Sequence, residues 1–84
     1  MIEYALTKHA ETMLKERGIQ LEWLERILLN PVQQHVDLTD PALKHAIGPI
    51  AENGDRLLRV IYNETVKPLR IITAYFDRTL RKSL

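Results

Sequence analysis

Seven side chains stand out among the types that move protons or hold anions: His9, Arg59, Thr73, Tyr75, Arg78, Arg81 and Lys82. An imidazole exchanges its proton near neutral pH, and a phenol or hydroxyl can orient or donate one. Guanidinium groups present planar, permanently charged forks that match phosphate. His9 falls in the opening turn of a predicted helix, where the positive end of the helix dipole favours the neutral ring that a general base needs. Arg78, Arg81 and Lys82 make the most basic stretch of the chain. A nucleic-acid backbone tracked there would be released steeply by salt, whereas the terminal position favours a solvated tail.

Each of these residues also has a plain structural reading. His9 can pack beside Leu6 and Met13, and Arg59, set among Leu58, Val60 and Ile61, can cover apolar surface with its stem. Thr73 and Tyr75 are good strand formers, and only a face shared with Arg59 gives them weight. Arg17 reads as a helix-end residue bonding terminal carbonyls or an acidic neighbour, outside the catalytic set. His35 and His45 show no spacing to carboxylates that suggests a metal site and read as surface or edge residues. The chain has no glycine-rich phosphate loop, serine nucleophile elbow or metal-ligand motif, so no cofactor and no metal are expected.

Positioning falls to two helices and a sheet. Residues 4–6 are β-prone, and Thr7 is placed to cap a helix whose apolar stripe is Ala10, Met13 and Leu14 and whose end is Arg17 and Gly18. A second helix spans about 20–29, with Leu21, Leu24, Ile27 and Leu28 on one face, Trp23 beside it and Pro31 as its stop. From Val32 the apolar period becomes two, over 32–36, 43–51, 56–63 and 69–76, which predicts four strands. Asn53-Gly54 signals a tight hairpin. With those two residues central, Arg59 faces Gly48 and Tyr62 faces His45, which turns His45 away from Arg59. A three-residue turn over 65–67 sets Arg59 opposite Thr73 and Val60 opposite Ile72. One face then carries Leu58, Val60, Ile72, Ala74 and Phe76 as the bed for the helices. The other carries Leu57, Arg59, Ile61, Ile71, Thr73 and Tyr75. The expected class is α+β, with two N-terminal helices on one face of an antiparallel sheet of about four strands.

Composition sets the bounds. A chain of 84 residues with 45% apolar and 27% charged residues predicts one folded domain over 1–84. A net charge of +1 excludes a globally basic surface, so nucleic-acid contact must come from local clustering of Arg and Lys. The absence of cysteine excludes disulfides and thiolate zinc sites and suits a reducing cytoplasm. Glu3 and Lys8 break up any leader-like start, and no run of about 18 apolar residues occurs, so a cytoplasmic protein without a membrane span is expected.

Thr7-Lys8-His9-Ala10 with Met13, Glu16-Arg17-Gly18-Ile19, Asn30-Pro31, Leu58-Arg59-Val60-Ile61 and Ile72-Thr73-Ala74-Tyr75 with Arg78 together resemble the domain of unknown function 4258 family. The resemblance covers nearly the whole chain. That family is similar to the RelE/ParE and BrnT toxins of bacterial toxin–antitoxin systems, which implies a RelE/ParE-like fold of two helices followed by a curved antiparallel sheet. Members of the wider group are often metal-independent endoribonucleases, while the ParE branch inhibits gyrase. The resemblance implies RNA cleavage by 2'-hydroxyl attack on the adjacent phosphate, which asks for a base, an acid and cations for the phosphorane. It points to His9, Arg59, Thr73 and Tyr75 as the site, without fixing which is the base; Arg78, Arg81 and Lys82, read from the basic stretch, are the expected substrate contacts. The partners implied are RNA and an antitoxin protein. The alternative is a non-catalytic module of the same fold that binds RNA or protein through its exposed face and edges; an unpaired strand edge also leaves a homodimer open.

Overall fold

Thr7 begins the first helix and ties it to the sheet. In the computed structural model, which describes residues 3–79, its Oγ1 accepts from the Ala10 N–H at 3.0 Å and donates to the Ile72 carbonyl at 3.2 Å. Its own N–H donates to the Ile71 carbonyl. The helix α1 (Lys8–Arg17) ends at Gly18, whose φ of 63° closes the last turn in the left-handed region. Helix α2 (Leu21–Leu29) follows and buries Trp23, Leu24 and Ile27. Leu21, expected on the buried face, is 47% exposed, so that face is rotated toward Trp23. Among the described residues no helix is long and apolar enough to cross a membrane.

The sheet has five strands rather than about four, and it is mixed rather than antiparallel. Its members are β1 (Tyr4–Leu6), β2 (Gln33–Val36), β3 (Leu43–Ile50), β4 (Arg56–Asn63) and β5 (Leu69–Phe76), in the order β1-β5-β4-β3-β2. The added strand is the β-prone start of the chain, too short to show a period. It runs parallel to β5, with Tyr4 beside Leu69 and Leu6 beside Ile71. Tyr4 also donates to Glu25 Oε2 at 2.6 Å, which binds β1 to α2. Half-buried and bonded to that carboxylate, its phenol is pushed up to about 12, chiefly by loss of water and then by Glu25.

Both hairpin registers differ from expectation. Ile47 faces Arg59, Ala46 faces Val60 and Lys44 faces Tyr62, one residue from the predicted pairing. The link is not a two-residue turn: Ala51–Asn53 form a 3-10 turn, and Gly54 (φ 66°) and Asp55 (φ 58°) both take left-handed conformations before β4 begins. A one-residue slip exchanges faces, so His45 comes to the same side as Arg59. In β5, Arg59 faces Tyr75 and Ile61 faces Thr73, a shift of two that keeps the predicted faces. A bulge then intervenes, and Tyr62 faces Ile71. Ile72 is the extra residue, so Ile71 rather than Ile72 enters the helix-facing core.

That core joins Ala10, Leu14, Ile19, Trp23, Leu24 and Ile27 of the helical layer to Ala46, Ile50, Leu58, Val60, Tyr62, Ile71 and Ala74 of the sheet. Each fully buried aliphatic side chain contributes roughly 1.5–3 kcal/mol. Gly48 lets α2 approach β3: a Cβ there would stand 2.8 Å from Ile27 Cδ1. We expect Gly48→Ala to lower stability by about 1–3 kcal/mol in urea denaturation. Ile27→Val removes the opposing methyl and alone costs about 0.5–1.5 kcal/mol. The double variant should therefore lose clearly less than the two single losses added together; strict additivity would contradict this packing.

Candidate functional site

The helix-free face of the sheet carries a continuous polar network. Across β2 and β3, His35 stands opposite His45, and their rings stack with centroids 4.9 Å apart. Arg59 Nη1 lies 2.7 Å from His45 Nδ1 and 3.3 Å from His35 Nε2. A guanidinium can only donate, so both of those ring nitrogens accept, and His45 turns its Nε2 proton to Asp37 Oδ1 at 2.7 Å. Arg59 Nε donates to Asp77 Oδ2 at 2.8 Å, in a pair whose side chains are only 11% and 8% exposed.

Both carboxylates are held in place from behind. Asp37 Oδ2 accepts from the Thr39 hydroxyl and from the N–H groups of Thr39 and Asp40. The bond from His45, followed by those from Thr39, holds the Asp37 carboxyl well below the usual range. Asp77 Oδ1 accepts from the Thr79 N–H and hydroxyl, which with Arg59 lower its carboxyl too. His35 is shifted down, chiefly by loss of water around its ring and then by the charges that His45 and Arg59 would oppose to its own.

A second cluster lies at the end of β5. Arg17, Arg56, Tyr75, Phe76 and Arg78 line a cleft of about 420 Å³. Arg17 reaches it from the end of α1 by donating to the Ala74 carbonyl at 2.8 Å, and its guanidinium lies 5.8 Å from the centre of the Tyr75 ring. Arg56, at the start of β4, lies 5.1 Å from the centre of the Phe76 ring. Trp23 packs edge-on behind Phe76, with centroids 6.2 Å apart. Among the described residues, none of the three arginines is in an ion pair. Guanidinium planes set beside aromatic rings leave their edge donors to point elsewhere, which suits an anion.

The residues singled out in the sequence are thus distributed over three places. His9 is exposed in the first turn of α1, within the helical layer, and does not line the cleft. Arg17 lies eight positions further on, about 12 Å along the helix. Arg59 is on the opposite face of the sheet, with Nε and Nη1 committed to Asp77 and the two imidazoles, so it positions those rings. Thr73 faces Ile61 on that same side. Tyr75 stands directly opposite Arg59 on that same face, as expected, and also lines the cleft together with Arg78. Arg81 and Lys82 lie outside the described residues.

The family described as Domain of unknown function (DUF4258) matches residues 6–76. The chain belongs to the DUF4258 family. That match spans both helices, all of β2 to β5 and most of the cleft, stopping before Arg78. The chain matches no curated protein and no solved structure.

Two members of these clusters had a weak sequence signal. Arg56 sits beside the loop after β3, and Arg17 is a helix-end residue that bonds a carbonyl of β5 instead of its own helix. Asp37 and His45 were concealed by the hairpin register. From the network we expect the His35 imidazole to titrate below the ordinary histidine range in an NMR pH series, and Arg59→Met to move it upward by removing a positive neighbour. A lowered folded-state value means the folded protein resists protonation at His35. Its contribution to stability is therefore present above the ordinary histidine range and is lost as pH falls through the lowered value. His35→Gln should remove that component of the pH profile; an unchanged profile would contradict the assignment.

Proposed function

We propose that this DUF4258 domain acts on RNA and that the arginine cleft is its point of contact. The observation that supports this is that three arginines, Arg17, Arg56 and Arg78, outside any ion pair among the described residues, line one cleft with Tyr75 and Phe76. Guanidinium groups would take phosphate oxygens bidentately, and the rings offer faces on which bases stack. A chain with a net charge of only +1 thereby gains a local cationic site.

The resemblance to RelE/ParE and BrnT toxins adds a reaction to the contact: metal-independent attack of a 2'-hydroxyl on the adjacent phosphate. Tyr75 supports this reading as the proton-transfer side chain of the cleft, set beside cations that would stabilise a phosphorane. His9, in the helical layer, stands apart from it, and Arg59, although directly opposite Tyr75 across β4 and β5, has Nε and Nη1 committed to its own network. Binding without cleavage, with an antitoxin or another protein as a further partner, is the second reading; the separation of His9 from Tyr75 and the commitment of Arg59 to its own network favour it.

Incubation of the purified domain with fluorescent single-stranded RNA, read by anisotropy and by denaturing gel, separates the two. Arg56→Ala and Arg78→Ala should each weaken RNA binding roughly tenfold and lower the salt dependence by about one charge. A nuclease yields fragments that Tyr75→Phe abolishes while binding persists; intact RNA on a binding wild-type protein selects the module. No binding by wild type at low salt would contradict the proposal.

A further inference from the structure

The shape and charge of the same cleft carry a narrower inference, which rests on the RNA reading above. We infer that the cleft takes the terminal phosphate of a nucleotide, a phosphomonoester dianion with its attached base, rather than an internal stretch of strand.

Charge is the first argument. An internal phosphodiester carries a single negative charge, whereas a phosphomonoester carries about −1.5 to −2 near neutral pH. Three guanidinium groups line this cleft, and among the described residues no carboxylate lines it or pairs with them. Each arginine has an acidic neighbour in sequence, Glu16, Asp55 and Asp77, but none of the three lines the cleft, and Asp77 is held by four hydrogen bonds: one from Arg59, one on its own N–H to Leu57, and two from Thr79. Three cations lining one cleft, outside any ion pair among the described residues, suit a dianion better than a monoanion.

Size is the second. At about 420 Å³ the cleft falls in the range of small-molecule sites, and its lining is confined to the ends of α1 and β5, the start of β4 and Arg78. Proteins that follow a strand instead use a groove several nucleotides long. The third is rigidity. Arg17 is anchored on the Ala74 carbonyl, and Phe76 is backed by Trp23, so one guanidinium and one stacking surface are in place before any ligand arrives. Tyr75 and Phe76 are consecutive in β5 and leave on opposite sides of the strand, with Arg17 drawn around its edge to the tyrosine. A base would lie on a ring while its phosphate meets the arginines.

The source of the phosphate, an RNA end or a free mononucleotide, is settled by the experiment. Binding to the wild-type chain is measured by competition anisotropy with four probes. They are a short RNA with a 5'-phosphate, the same RNA with a 3'-phosphate, the same RNA with hydroxyl ends, and AMP, with inorganic phosphate as the control. Preference of at least tenfold for a phosphorylated end over hydroxyl ends is expected. Its loss in Arg56→Ala and Arg78→Ala, and its partial retention in Arg56→Lys, are expected as well. Binding of AMP at comparable strength identifies the free nucleotide as sufficient. Arg17→Ala is left aside because Arg17 also holds α1 to β5. Equal binding of all three RNAs, still sensitive to Arg56 and Arg78, overturns end recognition and leaves the RNA reading standing. RNA binding that ignores both arginines overturns the two together.

Discussion

Helix α1 is fastened to β5 at both of its ends, and the rest of the molecule is arranged around that fact. At its start Thr7 donates from its N–H to the Ile71 carbonyl and from its hydroxyl to the Ile72 carbonyl; at its finish Arg17 donates to the Ala74 carbonyl. Ten residues of helix are thereby laid along one strand, which presses Ala10 and Leu14 onto Ile71 and Ala74 in the core. The same fastening places a guanidinium at the end of β5, where the edge is no longer covered by β1. Cap, core and cleft are consequences of one docking.

Charge in this protein is divided between two uses. On the helix-free face, Arg59 is almost wholly enclosed, and its Nε and Nη1 donate to Asp77, His35 and His45. A buried ion pair recovers its desolvation cost only with complete hydrogen bonding, and here both carboxylate oxygens of Asp77 are satisfied. The network links β2, β3, β4 and the residues after β5. It is a scaffold of positioned rings. At the end of β5 the opposite holds: the guanidiniums of Arg17, Arg56 and Arg78 are exposed and without acidic partners among the described residues. Cations kept available at the surface cost little to maintain and are free to meet an anion.

Much of this fold was legible from residue pattern. Thr7 and Gly18 bound α1 because each solves a local hydrogen-bonding or conformational problem that few other residues solve, and strands β2 to β5 lie within a residue or so of the stretches of period two. The register was not legible. Asn53-Gly54 marks the bend, yet the chain spends Ala51–Asn53 in a 3-10 turn and sets Asp55 at positive φ, and the extra loop length moves Arg59 from Gly48 to Ile47. That single step conceals the Asp37–His45–Arg59 contacts, since alternation reverses with each residue. The bulge at Ile72 exchanges Ile71 and Ile72 for the same reason. The cleft was illegible for another cause: Arg17, Arg56 and Arg78 are distant in sequence and meet only once α1 docks on β5.

The central claim, that phosphate meets the arginines at the end of β5, is tested most directly by the arginine Nε–Hε resonances during titration with single-stranded RNA. The account predicts that the signals of Arg17, Arg56 and Arg78 move together with the backbone amides of Tyr75 and Phe76. Arg59, enclosed with Asp77, should stay still. Shifts concentrated instead on Arg59, His35 and His45, or on His9, would contradict it and move the functional surface to another part of the molecule.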